Sequence, residues 1–571
     1  MNNSKPYDHL SQDHLAAVNR KRRIVVNHPA DGINYATMVG IDIPDIMEYE
    51  FGFTDENGSQ IDGQWWCLDD IFPMKTRPLV NKLDYPLRPA GKAQSKFVSH
   101  PPIANLDDND RAKVFQEWAD NGINIARIYL DETKKRGLEC FYSYRLSLIN
   151  DVTVSHRINA QTHPEWLIKG EFDNDLWDFS IPEVRDFQRS ILLELVDDYD
   201  FDGLEIDFSR CPQLTSAGNQ WEKREMITEF IESIRSSMLE LETKKNRPIL
   251  LAARVPDNLL GCHFDGLDIE SWISNNLVDI LVLGVRSLEL EIEQFKYLIN
   301  NKPIKLLATL DDHHTSDGYS WPGIEVMRGL ASNWWHQGID GIQTFNWGVA
   351  SPELAQKLNF WVAQAYIDGA PSILVNQQAY HELGSTETLK HKNKTFVIQR
   401  RGTGGSGGAP VNDWSTPRFS YQNTNMLGQL PAPLDNHGKV DTLLKLRVGD
   451  EFQNDLESIK SMDLKILFSD PSTEGINDNE TIDQAMISEF WGMPKLFTSP
   501  PKNNIAEIIE VRINNCLLPK PKINNGWLVF TTNPIYLAVG ENLVSVLIHG
   551  RKISDPEISI EKVELHVKYS K

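Results

Sequence analysis

The feature that most constrains the fold of this chain is a repeated alternation of apolar strand candidates with amphipathic helix candidates. Most of the strand candidates are preceded by a helical pattern. Parallel neighbours in a sheet need a crossover connection, which a helix usually supplies, so the alternation predicts a parallel sheet. Eight such units are the number that closes a (β/α)8 barrel. The strand candidates are 22–28, 61–70, 138–145, 200–210, 248–254, 278–284, 304–312 and 341–347.

The alternative for such an alternation is an open, doubly wound sheet. That fold binds nucleotides through a Gly-rich turn after its first strand, and no such turn follows residues 22–28. The sequence therefore predicts an α/β fold with a (β/α)8 barrel over residues 21–371, preceded by a loose polar arm at 1–20. We expect residues 72–109, which lack periodicity, to form a long loop, and residues 110–136 to form one helix.

The character of the sequence changes after Pro371. Seven short runs of alternating apolar and polar residues follow, separated by turn-rich segments and by a Gly-rich linker at 402–408. Such spacing is typical of an antiparallel β-sandwich. We therefore expect a second, C-terminal domain over residues 372–571.

Charge and cysteine usage exclude several classes of protein. The chain has 80 acidic and 57 basic residues, a net charge of -23, which argues against nucleic acid or an anionic membrane as partner. The five cysteines are scattered and form no CxxC pair, which disfavours a disulfide framework or a zinc knuckle. No run reaches the roughly 18 apolar residues of a membrane span, and no signal peptide is evident. As written, the sequence predicts a soluble cytoplasmic protein, or a periplasmic or secreted one if a signal was removed.

Two acidic residues share one face of the fourth strand candidate. Side chains alternate along a strand, so Glu205, Asp207 and Ser209 point the same way. Two carboxylates on an apolar strand cost free energy unless they are paired, hydrogen-bonded or used in catalysis. Asp207 is therefore a candidate nucleophile or charge stabiliser, or else a salt-bridge partner of Arg210 or Arg254. Glu205 lies one layer deeper, where it is a catalytic or an orienting acid.

Polar and aromatic residues occur at nearly every predicted strand end, where a (β/α)8 barrel places its catalytic groups. Arginines and histidines there suit anionic or hydroxyl-rich ligands, although the arginines could instead neutralise the acids. The two tryptophans could stack on a sugar ring or pack in the core. The candidate substrate-binding residues are His28, Trp66, Asp70, Arg145, Arg210, Arg254, Asp311, His313, His314, Asn346 and Trp347.

A metal site would be an alternative use of two adjacent histidines. His313 and His314 could bind a metal ion, but no third ligand is spaced to them in the sequence. We therefore predict no metal and no cofactor, and keep a metal-dependent hydrolase or lyase as an alternative.

Several segments resemble (β/α)8 proteins of the glycoside hydrolase type from polysaccharide-degrading bacteria. They are DFDGLEIDFSR at 200–210, SYRLS at 143–147, HPEW at 163–166, PEVR at 182–185 and LDIESWI at 267–273. The resemblance spans residues 22–365. The fourth strand also resembles the chitinase-type DGxDxDxE motif, but Ser209 occupies the position of the chitinase catalytic glutamate, so chitin hydrolysis is not expected. The segments 511–519, 526–548 and 559–569 resemble galactose-binding-like sandwiches.

This resemblance implies a glycoside hydrolase acting on an α-linked polysaccharide or oligosaccharide, sulfated or otherwise anionic forms included. Several retaining α-glycosidase barrels carry an aspartate nucleophile on strand four, which is the position of Asp207. An acid after strand seven would protonate the leaving oxygen. Asp312 is the preferred candidate and Asp311 the second one, and Glu205 would assist. The alternative from another class is a carbohydrate-binding barrel without catalysis.

Overall fold

The computed structural model describes most of the chain, with gaps. The described residues are 10–30, 42–68, 75, 117–147, 162–169, 175–210, 213–284, 287–312, 319, 322–358, 372–401, 428–473, 501 and 504–570. The predicted loop at 72–109 lies outside them apart from Lys75, as does the Gly-rich linker at 402–408.

The N-terminal part of the chain is a closed barrel of eight parallel strands, which confirms the predicted architecture. Each strand pairs with its neighbour in the chain, and the last pairs with the first in parallel register. The strands are β1 Ile24–His28, β2 Ile61–Trp66, β3 Glu139–Arg145, β4 Gly203–Asp207, β5 Leu250–Val255, β6 Ile280–Leu283, β7 Lys305–Asp311 and β8 Gly341–Phe345. A small antiparallel pair, Leu167–Lys169 with Asp175–Trp177, lies between β3 and β4 in the chain.

Helices surround the barrel and cover its outer face. In the helix Pro182–Asp198, proline occupies the first turn, where its missing N–H costs nothing. The buried residues Val184, Phe187, Ile191 and Leu195 recur every three or four positions and pack against the strands. The helices are α1 Gln12–Val18, α2 Ile43–Glu50, α3 Ile125–Lys135, α4 Pro182–Asp198, α5 Arg224–Lys245, α6 Leu259–Phe264, α7 Ile269–Ser274, α8 Ile292–Ile299, α9 Ile324–Gln337, α10 Pro352–Lys357, α11 Ser372–Glu382 and α12 Thr386–Leu389.

The predicted helix at 110–136 is shorter than expected in the described region. Residues 117–120 are helical, but Gly122 has a φ of +75° and α3 begins only after Asn124. The Asn124 side chain accepts a hydrogen bond from the Arg127 amide, which is the usual capping contact. A left-handed glycine followed by a capping residue therefore divides the segment.

The inside of the barrel is apolar towards its floor. Val25, Trp65, Phe141, Leu250 and Ile280 belong to one buried cluster, and Trp65 stacks on Phe141 with ring centroids 4.4 Å apart. The strands therefore enclose a packed core and leave polar chemistry to the opposite end.

The N-terminal arm, expected to be loose, contributes α1, which closes the barrel floor. His14 is fully buried. Its Nδ1 lies 2.7 Å from Glu242 Oε2 and its Nε2 lies 2.8 Å from Asp279 Oδ1. Arg235 donates two 2.7 Å hydrogen bonds to Asp279, which stands just before β6. An ion-paired histidine therefore fastens α1 to α5 and β6.

The C-terminal part of the chain is built from antiparallel sheets, as predicted. One sheet has the order β9-β18-β12-β16-β15 with β10 beside β18, and the other has the order β11-β17-β13-β14. Their facing apolar residues form a second buried cluster. The strands are β9 Lys394–Val397, β10 Ala432–Pro433, β11 Thr442–Val448, β12 Ile459–Ser469, β13 Ile509–Ile513, β14 Cys516–Leu517, β15 Lys522–Asn524, β16 Trp527–Thr531, β17 Gly540–Ile548 and β18 Ser559–Tyr569.

The two cores meet near residue 390. Ala379, Tyr380 and Leu383 of α11 and Leu389 of α12 belong to the barrel core, whereas Phe396 of β9 belongs to the sandwich core. A short helix, α13 Ile505–Ile508, precedes β13. None of the helices that the structure describes is both long and apolar enough to cross a membrane.

The floor network predicts a pH-dependent stability. Burial lowers the pKa of His14, but the carboxylates of Asp279 and Glu242 outweigh it and raise the pKa from 6.5 to about 9. The stabilising contribution is therefore fully present below pH 6.5 and lost as the pH rises through 9, with an upper size of about 3 kcal/mol. We expect His14→Gln to lower the melting temperature at pH 6, and this difference from wild type to shrink towards pH 10.

A matched control for this measurement is His263→Gln, because His263 pairs with Glu270 at the surface of the same barrel. It is expected to change the melting temperature little at any pH. A difference between wild type and His14→Gln that stays constant from pH 6 to pH 10 would contradict the assignment.

Candidate active site

The carboxyl end of the barrel brings together acids and arginines from neighbouring strands. Arg145, Asp207 and Arg254 pair in register across β3, β4 and β5, and Asp311 of β7 pairs with Phe345 of β8. Paired residues of parallel strands project to the same side of the sheet. These five side chains form what we call the mouth of the barrel.

Asp207 is held by three hydrogen bonds. Its Oδ1 accepts from the backbone amides of Ser209 and Arg210, each at 2.9 Å, and its Oδ2 accepts from Arg254 Nη1 at 3.0 Å. The side chain is 1 % exposed. The donors fix its orientation and stabilise its negative charge.

Arg254 is fixed on three sides. It binds Asp207, donates from Nε to the Gly284 carbonyl at 3.2 Å, and lies with its guanidinium 3.8 Å from the centroid of the Phe345 ring. Such cation–π contacts gain strength away from water, and Arg254 is fully buried. Its Nη2 is buried and has no hydrogen-bond partner among the described residues.

Glu205 occupies a polar network one layer below the mouth. Its Oε1 accepts from Asn27 Nδ2 at 2.5 Å and from Ser143 Oγ at 2.6 Å, and its Oε2 accepts from Gln343 Nε2 at 2.5 Å. Complete burial and the nearby negative charge of Asp207 raise the pKa of Glu205 from 4.5 to about 7. These contacts hold Glu205 in the barrel interior, one layer below Asp207.

The two acids after strand seven differ in position. Leu307 and Thr309 of β7 face the barrel interior, as shown by the interior cluster and by the 3.2 Å hydrogen bond from Thr309 Oγ1 to Gln343 Oε1. By strand alternation Asp311 faces the same side, and Asp312 follows the strand end. Both are buried. The register therefore favours Asp311, whereas the sequence prediction placed Asp312 first.

His28 and Trp66 face away from the mouth, contrary to the expected binding role. Trp66 is completely buried and donates from Nε1 to Thr133 Oγ1 at 2.8 Å. His28 lies 3.2 Å from Glu50 Oε2 and packs edge-on against Trp66. Both residues alternate with the inward-facing Asn27 and Trp65, so they point outward to the helices. The sequence correctly placed both residues at strand ends, but it did not show that their side chains point away from the barrel interior.

At the end of β8, one candidate stays near the mouth and one enters the core. Trp347 is 1 % exposed and packs 5.6 Å from the Tyr380 ring, which leaves no face for a sugar. Asn346 has a φ of +59°, a conformation that asparagine tolerates better than most residues. Its buried Oδ1 has no partner among the described residues. Arg210 is half-buried beside Asp207; Asp70, His313 and His314 lie outside the described residues.

Sequence reasoning missed several polar residues of the site. Ser143, Thr309 and Gln343 interrupt apolar strands on the inward face, and this alternation was the available signal. Asp257, three residues after Arg254, accepts hydrogen bonds from Ser287 Oγ and Asn258 Nδ2. Burial raises its pKa above the ordinary value.

Among the described residues, no three His, Cys, Asp or Glu side chains are arranged to hold a metal ion.

Comparison with known proteins gives structural similarity only. No family model matches the chain, and no curated protein matches it by sequence. A cycloisomaltooligosaccharide glucanotransferase of Paenibacillus sp. is similar at 9 % identity over 97 % of this chain and 58 % of that one, with a TM-score of 0.30. This chain therefore spans little more than half of that protein.

Two further structures are similar to this chain over almost their whole length. They are a maltogenic α-amylase, AmyB, from Thermotoga neapolitana, with 10 % identity, 92 % and 99 % coverage of the two chains and a TM-score of 0.33, and AmyP in complex with maltose, with 10 % identity, 96 % and 100 % coverage and a TM-score of 0.36. These values are too low to assign a family.

The Glu205 network predicts a second pH effect. Because folding raises the pKa of this carboxyl from 4.5 to about 7, its contribution to stability is fully present below pH 4.5 and is lost as the pH rises through 7. Glu205→Gln remains neutral at every pH. We therefore expect its melting temperature, relative to wild type, to increase between pH 4.5 and pH 7.5.

The matched control for this prediction is Glu183→Gln, at an exposed position near the start of α4. Its melting temperature relative to wild type is expected to stay constant over the same range. A Glu205→Gln curve parallel to that of wild type would show that Glu205 keeps its ordinary pKa.

Proposed function

We propose that this protein is a glycoside hydrolase acting on an α-linked polysaccharide or oligosaccharide. The observation that carries the proposal is Asp207, which ends the fourth strand of a closed barrel in a position fixed by Arg254 and two backbone amides. Asp311 supplies a second carboxyl group from β7 at the same end of the barrel. A pair of carboxyl groups at such a position is the usual equipment for glycoside hydrolysis.

The chemistry that we assign to the pair is a retaining double displacement. Asp207 Oδ2 would form a bond to the anomeric carbon while the bond to the leaving oxygen breaks, and Asp311 would give that oxygen its proton. Water, deprotonated by Asp311, would then cleave the glycosyl–enzyme bond. Retention requires the two carboxyl groups to lie about 5 to 5.5 Å apart once substrate is bound, against about 6.5 to 9.5 Å for inversion.

The arginines at the mouth favour anionic or hydroxyl-rich sugars as substrates. Arg145, Arg210 and Arg254 lie beside Asp207, and Arg254 Nη2 has no described partner. Guanidinium groups bind sulfate and carboxylate through paired hydrogen bonds. Sulfated and uronic-acid-containing polysaccharides therefore belong in the substrate panel, together with α-glucans, since maltose is bound in one of the similar structures.

A second candidate function is carbohydrate binding without catalysis. The observation in its favour is that Asp207 is 1 % exposed and already accepts three hydrogen bonds. A nucleophile must present one oxygen to the anomeric carbon, so catalysis requires a substrate-bound arrangement in which Oδ2 is accessible. A glycan that binds and is never cleaved would support this alternative.

Replacement of Asp207 tests the proposal directly. We expect wild-type protein to release reducing ends from at least one polysaccharide of the panel, and Asp207→Asn to lose at least about 10³-fold in kcat, since the amide cannot form the glycosyl ester. Asp131→Asn, at an exposed position on α3, is the control and should retain wild-type turnover. Unchanged turnover in Asp207→Asn would exclude the assigned role.

The same panel separates hydrolysis from binding. Affinity electrophoresis of Asp207→Asn should still show retardation by the polysaccharide that the wild type cleaves, because the amide keeps the size of the side chain and an oxygen that can accept from Arg254. Retardation of the wild type by a glycan, without released reducing ends from any glycan of the panel, would favour the binding function instead.

The proton donor is tested by comparing Asp311→Asn with Asp312→Asn on the cleaved polysaccharide. We expect Asp311→Asn to lose about 10²- to 10⁴-fold in kcat, the usual size of general acid–base catalysis, and to lose the alkaline limb of the pH profile. Asp312→Asn should change kcat much less. The reverse order would show that strand register does not decide which acid acts.

A further inference from the structure

The segment that follows the candidate acids of strand seven is joined to the C-terminal sandwich. Tyr319 lies between Asp312 and the start of α9, and only 6 % of it is exposed. Its hydroxyl donates to Glu564 Oε1 at 3.1 Å, and its ring lies 4.0 Å from Lys562 Nζ. Glu564 and Lys562 both belong to β18. One residue of the barrel therefore rests on the last strand of the other domain.

The face of β18 that receives Tyr319 is polar for a structural reason. Val563, Leu565 and Val567 point into the sandwich core. Residues two apart on a strand share a face, so Lys562 and Glu564 project together on the opposite side, towards the barrel. Adjacent to them, His566 Nε2 lies 2.7 Å from Glu564 Oε2. We call Lys562, Glu564 and His566 the seat of Tyr319.

The seat is more than a solvated surface. Lys562 is 2 % exposed, and an ammonium group buried to this extent is costly unless other groups compensate it. The electron-rich face of the Tyr319 ring provides part of that compensation. The pKa of Glu564, which burial would raise, is nevertheless lowered by the hydrogen bond from His566 and the charge of Lys562. The seat therefore presents a carboxylate acceptor to the tyrosine hydroxyl.

The helix that follows Tyr319 is fixed to the same domain. A side chain at Gly329 of α9 would place its Cβ 2.2 Å from the Thr395 carbonyl oxygen, and one at Gly449 would place it 2.3 Å from that of Ser332. Ser332 Oγ also donates to Asp450 Oδ1 at 2.5 Å. The backbones of α9 and the sandwich thus touch, and the sandwich provides a fixed reference for this side of the barrel.

Tyr319 follows the end of β7 closely in the sequence. Ten residues, 313–322, separate Asp312 from Gly323, the capping residue of α9, but only six, 313–318, separate Asp312 from Tyr319. A shorter connection has fewer conformations, and the end of the strand from which it departs has less freedom to reorient. The contact with the seat lies seven residues after Asp312 in the chain.

We propose that the sandwich helps to build the mouth of the barrel, with Tyr319 as a positioning residue that holds the end of β7 through its seat on β18. The proposal deepens the hydrolase function and rests on it as far as turnover is concerned. Tyr319 touches no reacting atom in this scheme. It acts by keeping the proton donor at the distance from Asp207 that proton transfer requires, since a displacement of about 1 Å can cost 10²-fold in rate.

The test combines kinetics with hydrogen exchange in the full chain. The variants are Tyr319→Ala, which removes both contacts, Tyr319→Phe, which keeps the ring over Lys562, and Lys562→Met, which keeps the bulk of the side chain without its charge. Tyr297→Ala is the control, because Tyr297 on α8 is 79 % exposed. The substrate is the polysaccharide that the wild type cleaves, and exchange is followed in the peptide 305–323.

We expect Tyr319→Ala to lose about 10- to 100-fold in kcat with less than about 3-fold change in KM. The reason is that the proton donor is displaced, whereas the groups that bind the substrate stay in place. The peptide 305–323 should exchange faster than it does in the wild type. Tyr319→Phe should restore most of the turnover, and Lys562→Met should fall between the two. Wild-type kcat and exchange in Tyr319→Ala, or an equal loss in Tyr297→Ala, would overturn the proposal.

The two proposals fail in different ways. If the wild type cleaves no glycan, the hydrolase function fails, whereas the exchange of peptide 305–323 still decides whether the seat restrains the end of β7. If Tyr319→Ala does not fold, Tyr319→Phe and Lys562→Met decide the question. Exchange identical to that of the wild type in both would then overturn it.

Discussion

The buried ion pair of Asp207 and Arg254 is the interaction on which the rest of the mouth depends. Two charges removed from water are stable only if further hydrogen bonds and good geometry compensate their desolvation. Here the backbone amides after β4 donate hydrogen bonds to the Asp207 carboxylate. The Arg254 guanidinium donates to the Gly284 carbonyl and lies over the Phe345 ring. Strands β4, β5 and β8 and the chain after β6 are thereby tied together at one end of the barrel, and the ion pair defines the position of the candidate nucleophile.

Two carboxyl groups on one strand acquire different properties from their depths. Asp207 is compensated by a full positive charge, whereas Glu205 receives hydrogen bonds from neutral side chains on β1, β3 and β8. Burial and the charge of Asp207 therefore raise the pKa of Glu205. When different environments act on the pKa values of two neighbouring acids, the acids commonly take different roles. In this barrel the deeper acid, Glu205, is held by hydrogen bonds one layer below the mouth, and the outer acid, Asp207, lies at the mouth.

The regions outside the barrel strands are part of the same construction. Helix α1 closes the floor through the ion-paired His14, and the sandwich contacts α9 and Tyr319. The floor contacts lie where the strands begin, and the Tyr319 proposal assigns to the sandwich contacts the position of the end of β7. If the hydrolase proposal and the Tyr319 proposal both hold, the C-terminal domain contributes to catalysis by position, whether or not it binds sugar itself.

The sequence by itself determined the eight strands, the order of the two domains and the common face of Glu205 and Asp207, because periodicities of 2 and 3.6 residues are set by near neighbours in the chain. It also located the start of α4 at Pro182. Only the tertiary structure decided that Trp66 faces the helices while Asp311 faces the mouth, that His14 is buried, and that Tyr319 meets Glu564, 245 residues away. Which face of a strand end is buried, and which distant group compensates a charge, depend on how remote segments pack, and no local pattern encodes that.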